Sequence, residues 1–524
     1  MKANCIMLQG TGSHVGKSVL VSALCRIFLQ DGYKVVPFKS QNMALNSYVT
    51  RDGGEMGRAQ VVQAEAAGLA PSVLMNPVLL KPTGQATSQV IVLGRPVGNL
   101  SAKEYHEKYN MQALGVVRES LDRLRSDFEI VVIEGAGSPA EVNLQATEIV
   151  NMRIARMADC PVILVADIDK GGALASVVGT LELLDPADRS RVAGILINKF
   201  RGDVKLFHPA VDFLEKKTGV PVLGIIPYFQ GFRVQEEDTI PEDTLRAGKK
   251  TVENKIDIAV VNLPHISNFT DFDPLEDEPD VQLRYVGKGD KLGSPDMIII
   301  PGSKNTIHDM AYLEKSGLAR EIREQEIRGI PIVGICGGFQ IIGKELHDPL
   351  HTESDIDSIK GLGLLDITTT FDPEKITTQV SAEVIGSGSF LGGVGGSTVT
   401  GYEIHMGRTD LGEGVEPAFR IFERSAKEVN ILDGAVRSDG RVFGTYIHGI
   451  FDNDTFRRHI LDLIREDKGW GPLSADEVLT VFEQREKDFN KLADVVRNSM
   501  DIDKLYEIMN LEIPEKVAKG QGAG

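Results

Sequence analysis

Short, almost continuous runs of aliphatic and β-branched residues recur along the chain. Each is followed by a glycine-containing turn and then by a stretch with helical spacing. In the first half the runs fall at 5–8, 34–38, 130–133, 162–165, 194–197 and 222–226. A strand that is apolar throughout, rather than at alternate positions, has to be covered on both faces, as a parallel strand between two layers of helix is. Strand alternating with helix therefore predicts a doubly wound α/β domain over 1–246. A second series at 256–261, 283–286, 297–300 and 332–335 predicts another over 256–490. The stretch 247–255 ends a charged segment without apolar periodicity and reads as a linker. From 491 the spacing is helical through 509, and the terminal VAKGQGAG is expected to fray. A length of 524 residues is more than one core usually holds, in keeping with two domains.

Acidic residues outnumber basic ones by 75 to 57, a formal charge of −18. Phosphate backbones and anionic membranes are recognised by basic faces, so neither nucleic acid nor a membrane is an expected partner. Cys5, Cys25, Cys160 and Cys336 show no CxxC spacing and are too few for a disulfide framework. No apolar run approaches the ~20 residues that cross a bilayer. The N-terminus runs directly into a glycine-rich loop, leaving no room for a signal peptide, and a cytoplasmic enzyme is expected.

That loop, GTGSHVGKS at 10–18, follows a strand and opens a helix with one apolar face. In this setting backbone N–H groups from Gly12 to Gly16 and the helix N-terminus cradle phosphate oxygens. Lys17 is expected to reach the β- and γ-phosphates of ATP, and the Ser18 hydroxyl to ligate Mg2+. Thr11 stands where the usual phosphate loop has glycine or alanine, and the form GTxxxVGKS resembles dethiobiotin synthetase and its relatives, which phosphorylate a carboxylate. That resemblance implies that Asp52 and Glu134 join Ser18 around the metal, an ordinary solvated acid being the alternative for each. It also implies that Lys39 faces the transferred phosphoryl group and that Asn198, in the pair Asn198-Lys199, contacts the purine. Asp167 and Asp169 follow another strand and are candidates for contact with nucleotide or substrate.

In the second domain, Gly334-Ile-Cys336-Gly-Gly338 joins an apolar strand to an apolar helix. A G-x-C-x-G of this kind is a nucleophile elbow with a thiol in place of the hydroxyl. The following helix N-terminus favours thiolate and stabilises a developing oxyanion. A cysteine nucleophile needs a base, and His448 at the end of VFGTYIH is the best placed of ten histidines, with His405 as its rival.

Gly334-x-Cys336-x-Gly338-x-Gln340 with a distant strand-end histidine resembles the triad-type glutamine amidotransferases. The resemblance implies that Cys336 attacks the side-chain amide of glutamine and releases ammonia. Ile450 occupies the place of that family's usual glutamate, two residues after the histidine, so the third triad member is unassigned. This departure matches the cobyric and cobyrinic acid amidase branch, in which PGSKN at 301–305 resembles the oxyanion loop, making the amides of Gly302 and Gly337 candidates for the hole. Ammonia is useful only beside an activated acid, which ATP supplies as an acyl phosphate.

Over 5–490 the combination of MLQGTGSHVGKS, PFKSQNMALNSYVT, NPVLLKP, NLPHISNFTDFDPL, PGSKNT and GTYIHGIFDN resembles the cobyric acid synthase family. What that implies is ATP- and glutamine-dependent amidation of the b, d, e and g carboxylates of adenosylcobyrinic acid a,c-diamide, a corrin substrate. Two rivals remain at this point. One is an amidotransferase of the a,c-diamide synthase type, against which the segment 41–48 speaks. The other is a non-enzymatic partition-type switch, whose signature lysine is absent at Gly12.

Overall fold

A computed structural model describes residues 2–84, 87–105, 110–143, 148–229, 254–474 and 477–512. The chain divides into two compact units. One comprises 1–44, 55–237 and 484–524, the other 45–54 and 238–483.

Six strands form the sheet of the first unit: β1 (Asn4–Gly10), β2 (Val35–Phe38), β3 (Ile130–Glu134), β4 (Val162–Asp167), β5 (Val192–Phe200) and β6 (Val222–Pro227). Their order is β6-β5-β4-β1-β3-β2, and every pairing is parallel. β1, β3 and β4 are almost wholly buried along their length, as the unbroken apolar runs require. The order reverses at β1, so the loops after β1 and β3 open side by side at the carboxyl ends of the strands, where such sheets hold ligands.

The second unit has a sheet of five parallel strands, β8-β7-β9-β10-β13, where β7 is Ile256–Val261, β8 Val281–Val286, β9 Met297–Ile300, β10 Ile332–Ile335 and β13 Val442–Thr445. Two short antiparallel strands, β12 (Ala435–Arg437) and β11 (Val415–Glu416), extend it beyond β13. A separate, largely antiparallel sheet is built around the long strands Ile367–Val384 and Thr398–Leu411. Both faces of the parallel sheet carry apolar clusters.

Nine of the ten runs picked out in the sequence lie within strands, and the tenth, 34–38, starts one residue before β2. The division differs from the sequence expectation at two places. Residues 45–54 leave the first unit and group with the second. The C-terminal stretch is part of the first unit: helix α4 (Val481–Ser499) and helix α5 (Ile502–Ile508) bury Phe489, Leu492, Val496, Leu505 and Tyr506 in one cluster with Leu20, Leu24 and Phe28 of helix α1 (Lys17–Gln30). The expected domain end at 246 and the expected frayed end at 517–524 fall entirely, and the expected linker at 247–255 mainly, outside the described residues.

Candidate active sites

In the first unit, β1 ends at Gly10 and the chain turns through 11–16 before Lys17 opens α1. Gly16 has φ 94°, a conformation that favours glycine, and a Cβ there would stand 2.1 Å from Asn198 Nδ2. Asn198, on β5, donates to Val15 O at 2.8 Å, so the expected purine contact borders the loop itself. Lys17 Nζ folds back across the loop, donating to Gly12 O at 3.1 Å and Gly137 O at 3.4 Å. A cavity of about 320 Å³ beside it is lined by Gly12, Ser13, Gly137, Ser138, Asn151 and Arg156, among others.

Adjacent parallel strands bring Lys39, just past β2, alongside Glu134, the last residue of β3. Lys39 Nζ lies 3.0 Å from Glu134 Oε1, and Ser18 Oγ donates to the same oxygen at 2.8 Å. Gln63, on helix α2 (Arg58–Ala66), donates to Glu134 Oε2. Burial works against the Glu134 charge, but Lys39, Gln63 and Lys17 together outweigh it and hold the carboxyl pKa below its usual range. Among the described residues no group of three His, Cys, Asp or Glu could hold a metal. The Ser18 hydroxyl and the Glu134 carboxylate nevertheless fit a Mg2+ whose remaining ligands are phosphate and water oxygens.

Asp52, the other expected metal ligand, groups with the second unit. It lies in the 45–54 segment, exposed, its carboxylate accepting from Thr50 Oγ1. Asp167 pairs with Lys199 at 3.0 Å, and Asp169 with Arg201 at 2.8 Å.

In the second unit β10 runs into Cys336, which has φ 53° and ψ −111°, a strained conformation for a residue with a Cβ. Packing enforces the strain: a Cβ on Gly338 would sit 1.8 Å from Ile300 O, so only glycine lets helix α3 (Gly337–Ile341) start so close to β9. The Cys336 thiol is 3.5 Å from Ile404 O and within hydrogen-bonding reach of His448.

His448 ends the short strand Ile447–His448. Its Nδ1 is 2.6 Å from Asp271 Oδ2, while Gly449 N donates to Asp271 Oδ1 at 3.0 Å. With Nδ1 committed to Asp271, Nε2 is left for the thiol proton. Burial alone would lower the imidazole pKa; the Asp271 carboxylate and Cys336 outweigh it and push it up to about 10.

Gly302 and Gly337 border this pair. A Cβ on Gly302 would stand 3.3 Å from His448 Cε1, and one on Gly337 2.8 Å from Ser303 N. Ser303 Oγ donates to buried Asp309 at 2.6 Å, which fixes the loop that carries Gly302. The rival His405 instead stacks on Tyr446 at 3.7 Å and lies 3.5 Å from Glu403.

Residues 6–241 match the CobQ/CobB/MinD/ParA nucleotide binding domain, and residues 257–456 the CobB/CobQ-like glutamine amidotransferase domain. The "Cobyric acid synthase" of Pelotomaculum thermopropionicum is 54% identical over 100% of this chain and 99% of its own. That of Moorella thermoacetica is 56% identical over 98% of each chain. The chain belongs to the cobyric acid synthase family. In this member of the cobyric acid synthase family the first α/β unit is the nucleotide-binding domain and the second the glutamine amidotransferase domain. No helix among the described residues is long and apolar enough to cross a membrane.

Sequence reasoning missed two residues that the fold of this cobyric acid synthase family member brings to the sites. Asp271 lies in NLPHISNFTDFDPL, a stretch marked as distinctive but given no role. Gln63 lies on a short helix of which eight of nine residues are buried, three of them amide or guanidinium bearing. Polar side chains on a buried helix are a legible signal, because they persist only with partners.

Proposed function

We propose that this chain acts as a cobyric acid synthase in the cytoplasm. In this reading it uses ATP, with Mg2+, and glutamine to amidate the b, d, e and g carboxylates of adenosylcobyrinic acid a,c-diamide. The observation that carries the reading is the presence in one chain of Cys336 facing His448–Asp271 and of Lys39, Ser18 and Glu134 behind a phosphate loop.

At the thiol site, the raised pKa of His448 keeps the thiol proton on its Nε2, and the Cys336 thiolate so formed attacks the glutamine side-chain carbonyl. The amide N–H groups of Gly302 and Gly337 are proposed to receive the oxyanion. Collapse expels ammonia, which carries off the proton returned by His448, and leaves a glutamyl thioester. Water, deprotonated by the same imidazole, then cleaves the thioester to glutamate and restores the thiol. Asp271 holds the imidazole in one tautomer and balances its charge throughout.

In the first unit Lys17 and Lys39 are proposed to bring two cations to the oxygens of the transferred phosphoryl group, and Asn198 is proposed to contact the purine. Mg2+, held by Ser18 and Glu134, would neutralise phosphate charge. The acceptor carboxylate takes the phosphoryl group, and ammonia displaces phosphate from the resulting acyl phosphate to form the amide.

The test is incubation with adenosylcobyrinic acid a,c-diamide, ATP, Mg2+ and glutamine, followed by mass spectrometry. The expected product has four hydroxyls replaced by amino groups. An unchanged corrin, or amidation only of cobyrinic acid supplied in its place, would sink the proposal.

A further inference from the structure

Two aromatic rings back the histidine of the thiol site. Tyr402 stacks on His448 with centroids 5.3 Å apart and planes 16° from parallel, and the two residues pair directly across their strands. Tyr48 packs edge-on against Tyr402 at 5.2 Å. The bond from Nδ1 to Asp271 fixes one point of the imidazole but leaves it free to tilt about that point. A flat ring at stacking distance is what fixes its plane.

Tyr48 comes from the ten residues, 45–54, that leave the first unit and group with the second. There Gln379 Nε2 donates both to Tyr48 OH and to Val49 O at 2.8 Å, and Val49 joins Tyr402 and Ile404 in an apolar cluster. Ser47 N donates to Asn268 Oδ1 at 3.4 Å, three residues before Asp271.

Both roots of the segment lie in the first unit, and the outward one starts from its phosphoryl-transfer site. On the way out, Lys39 is bound to Glu134, and Asn42 Nδ2 donates to Gln60 Oε1 at 2.8 Å, one turn of helix from the Gln63 that holds Glu134. On the return, Glu55 forms a buried ion pair with Lys81. A cavity of about 290 Å³, lined by Tyr48, Arg51, Tyr402, Gly449 and Asp452 among others, flanks the ring stack and gives Tyr48 room to shift.

We propose that Tyr402 holds the plane of the His448 imidazole and that Tyr48 sets Tyr402, so that the glutamine-cleaving histidine is positioned by a loop rooted in the phosphoryl-transfer site. This rests on the function proposed above. Tyr402 and Tyr48 are positioning residues: neither touches the reacting atoms. Lys39 and Tyr48 are joined by eight residues that include the short strand Gln41–Met43 and lead into the strand Ser47–Val49, a short path by which displacement of Lys39 or Asn42 by bound nucleotide and acceptor is carried to the ring stack.

The experiment uses the full chain and measures glutamate release from glutamine, with and without ATP plus the corrin diamide, alongside amidation driven by free ammonia. Tyr402→Leu is expected to lower kcat for glutamate release roughly tenfold to hundredfold with KM for glutamine unchanged. Tyr402→Phe, which keeps the stacked ring, is expected to restore most of it. Tyr48→Ala is expected to release glutamate slowly and at the same rate whether or not ATP and corrin are present, where the wild type speeds up. All three should keep ammonia-driven amidation, which shows that they fold. The inference is overturned if Tyr402→Leu alters KM alone, if Tyr402→Phe falls as far as Tyr402→Leu, or if Tyr48→Ala responds to ATP and corrin as the wild type does. A wild-type protein that releases no glutamate would sink the proposed function itself, and this inference with it.

Discussion

Asp271 Oδ2 stands 2.6 Å from His448 Nδ1, although 177 residues separate the two in sequence. The position where related amidotransferases carry a glutamate is Ile450, which is fully buried among apolar groups. The carboxylate that orients the histidine therefore comes from the turn after β7 rather than from the histidine's own loop. Asp271→Asn keeps the shape but removes the charge and reverses the preferred tautomer. Glutamate release should fall by about 10³ to 10⁴ in kcat, while amidation driven by free ammonia continues at the wild-type rate; steady-state assays with each nitrogen source check this.

The two sites have separate chemistry, so they should fail separately. Cys336→Ala is expected to abolish glutamine-dependent amidation and leave the ammonia-dependent reaction intact. Lys17→Ala is expected to lose both, because its amine lies across the phosphate loop. Loss of ammonia-dependent amidation in Cys336→Ala would show that the division of labour is wrong.

Lys39 and Glu134 are each almost fully shielded from solvent and 3.0 Å apart. Glu134→Gln strands a buried cation, at a cost of about 3–5 kcal/mol. Urea unfolding should show that loss, and Lys39→Met in the same chain should recover part of it. Neither variant should amidate with any nitrogen source.

Asp433 supplies a pH signature. Burial, then the neighbouring Glu403 carboxylate, raise its pKa to about 7, against the donor Thr445. Between the unfolded value near 4 and about 7 the folded chain holds this proton more tightly than the unfolded one does. Its contribution to stability is therefore fully present at the acid end, declines as pH rises through that window by at most about 1.4 kcal/mol per unit, and is flat above it. Urea midpoints of wild type and Asp433→Asn, compared across pH 4 to 8, should converge or cross in that sense; a difference independent of pH would contradict it.

The strands and the two motifs were legible because each is a local pattern. β1 and β10 are unbroken apolar runs, and the glycines at 16 and 338 mark turns that a side chain would block. Asp271 was not legible, since nothing local distinguishes an acid that meets a histidine far along the chain. The 45–54 excursion was equally hidden: Tyr48 and Arg51 look like ordinary loop residues until Tyr402 is placed beside them. The strand Ile367–Val384 alternates in burial at both ends, and Thr398–Leu411 buries Tyr402, Glu403, Ile404 and His405 in succession, two of them polar, so neither gave a continuous apolar run to detect.

The C-terminal stretch shows the same limit in stability terms. Its helical spacing was evident, but a helix beyond the last recognisable motif offers no sign of where it packs. Tyr506 is fully buried, meets Phe28 edge-on at 5.8 Å, and donates to Asp31 at 2.6 Å, where Arg497 also pairs at 2.9 Å. Tyr506→Ala removes a whole ring from a packed cluster and should cost about 3–5 kcal/mol. Tyr506→Phe keeps the ring but leaves Asp31 with Arg497 alone, and should cost about 1 kcal/mol. A chain ending at residue 483 exposes the Leu20, Leu24 and Phe28 face of α1 and should lose ATP-dependent amidation through the first unit's instability. Glutamate release by the second unit, whose core contains none of these side chains, should be less affected. Urea unfolding of the three variants followed by far-UV circular dichroism would check the ranking, and equal midpoints for Tyr506→Ala and wild type would show that the tail does not hold the nucleotide-binding domain together.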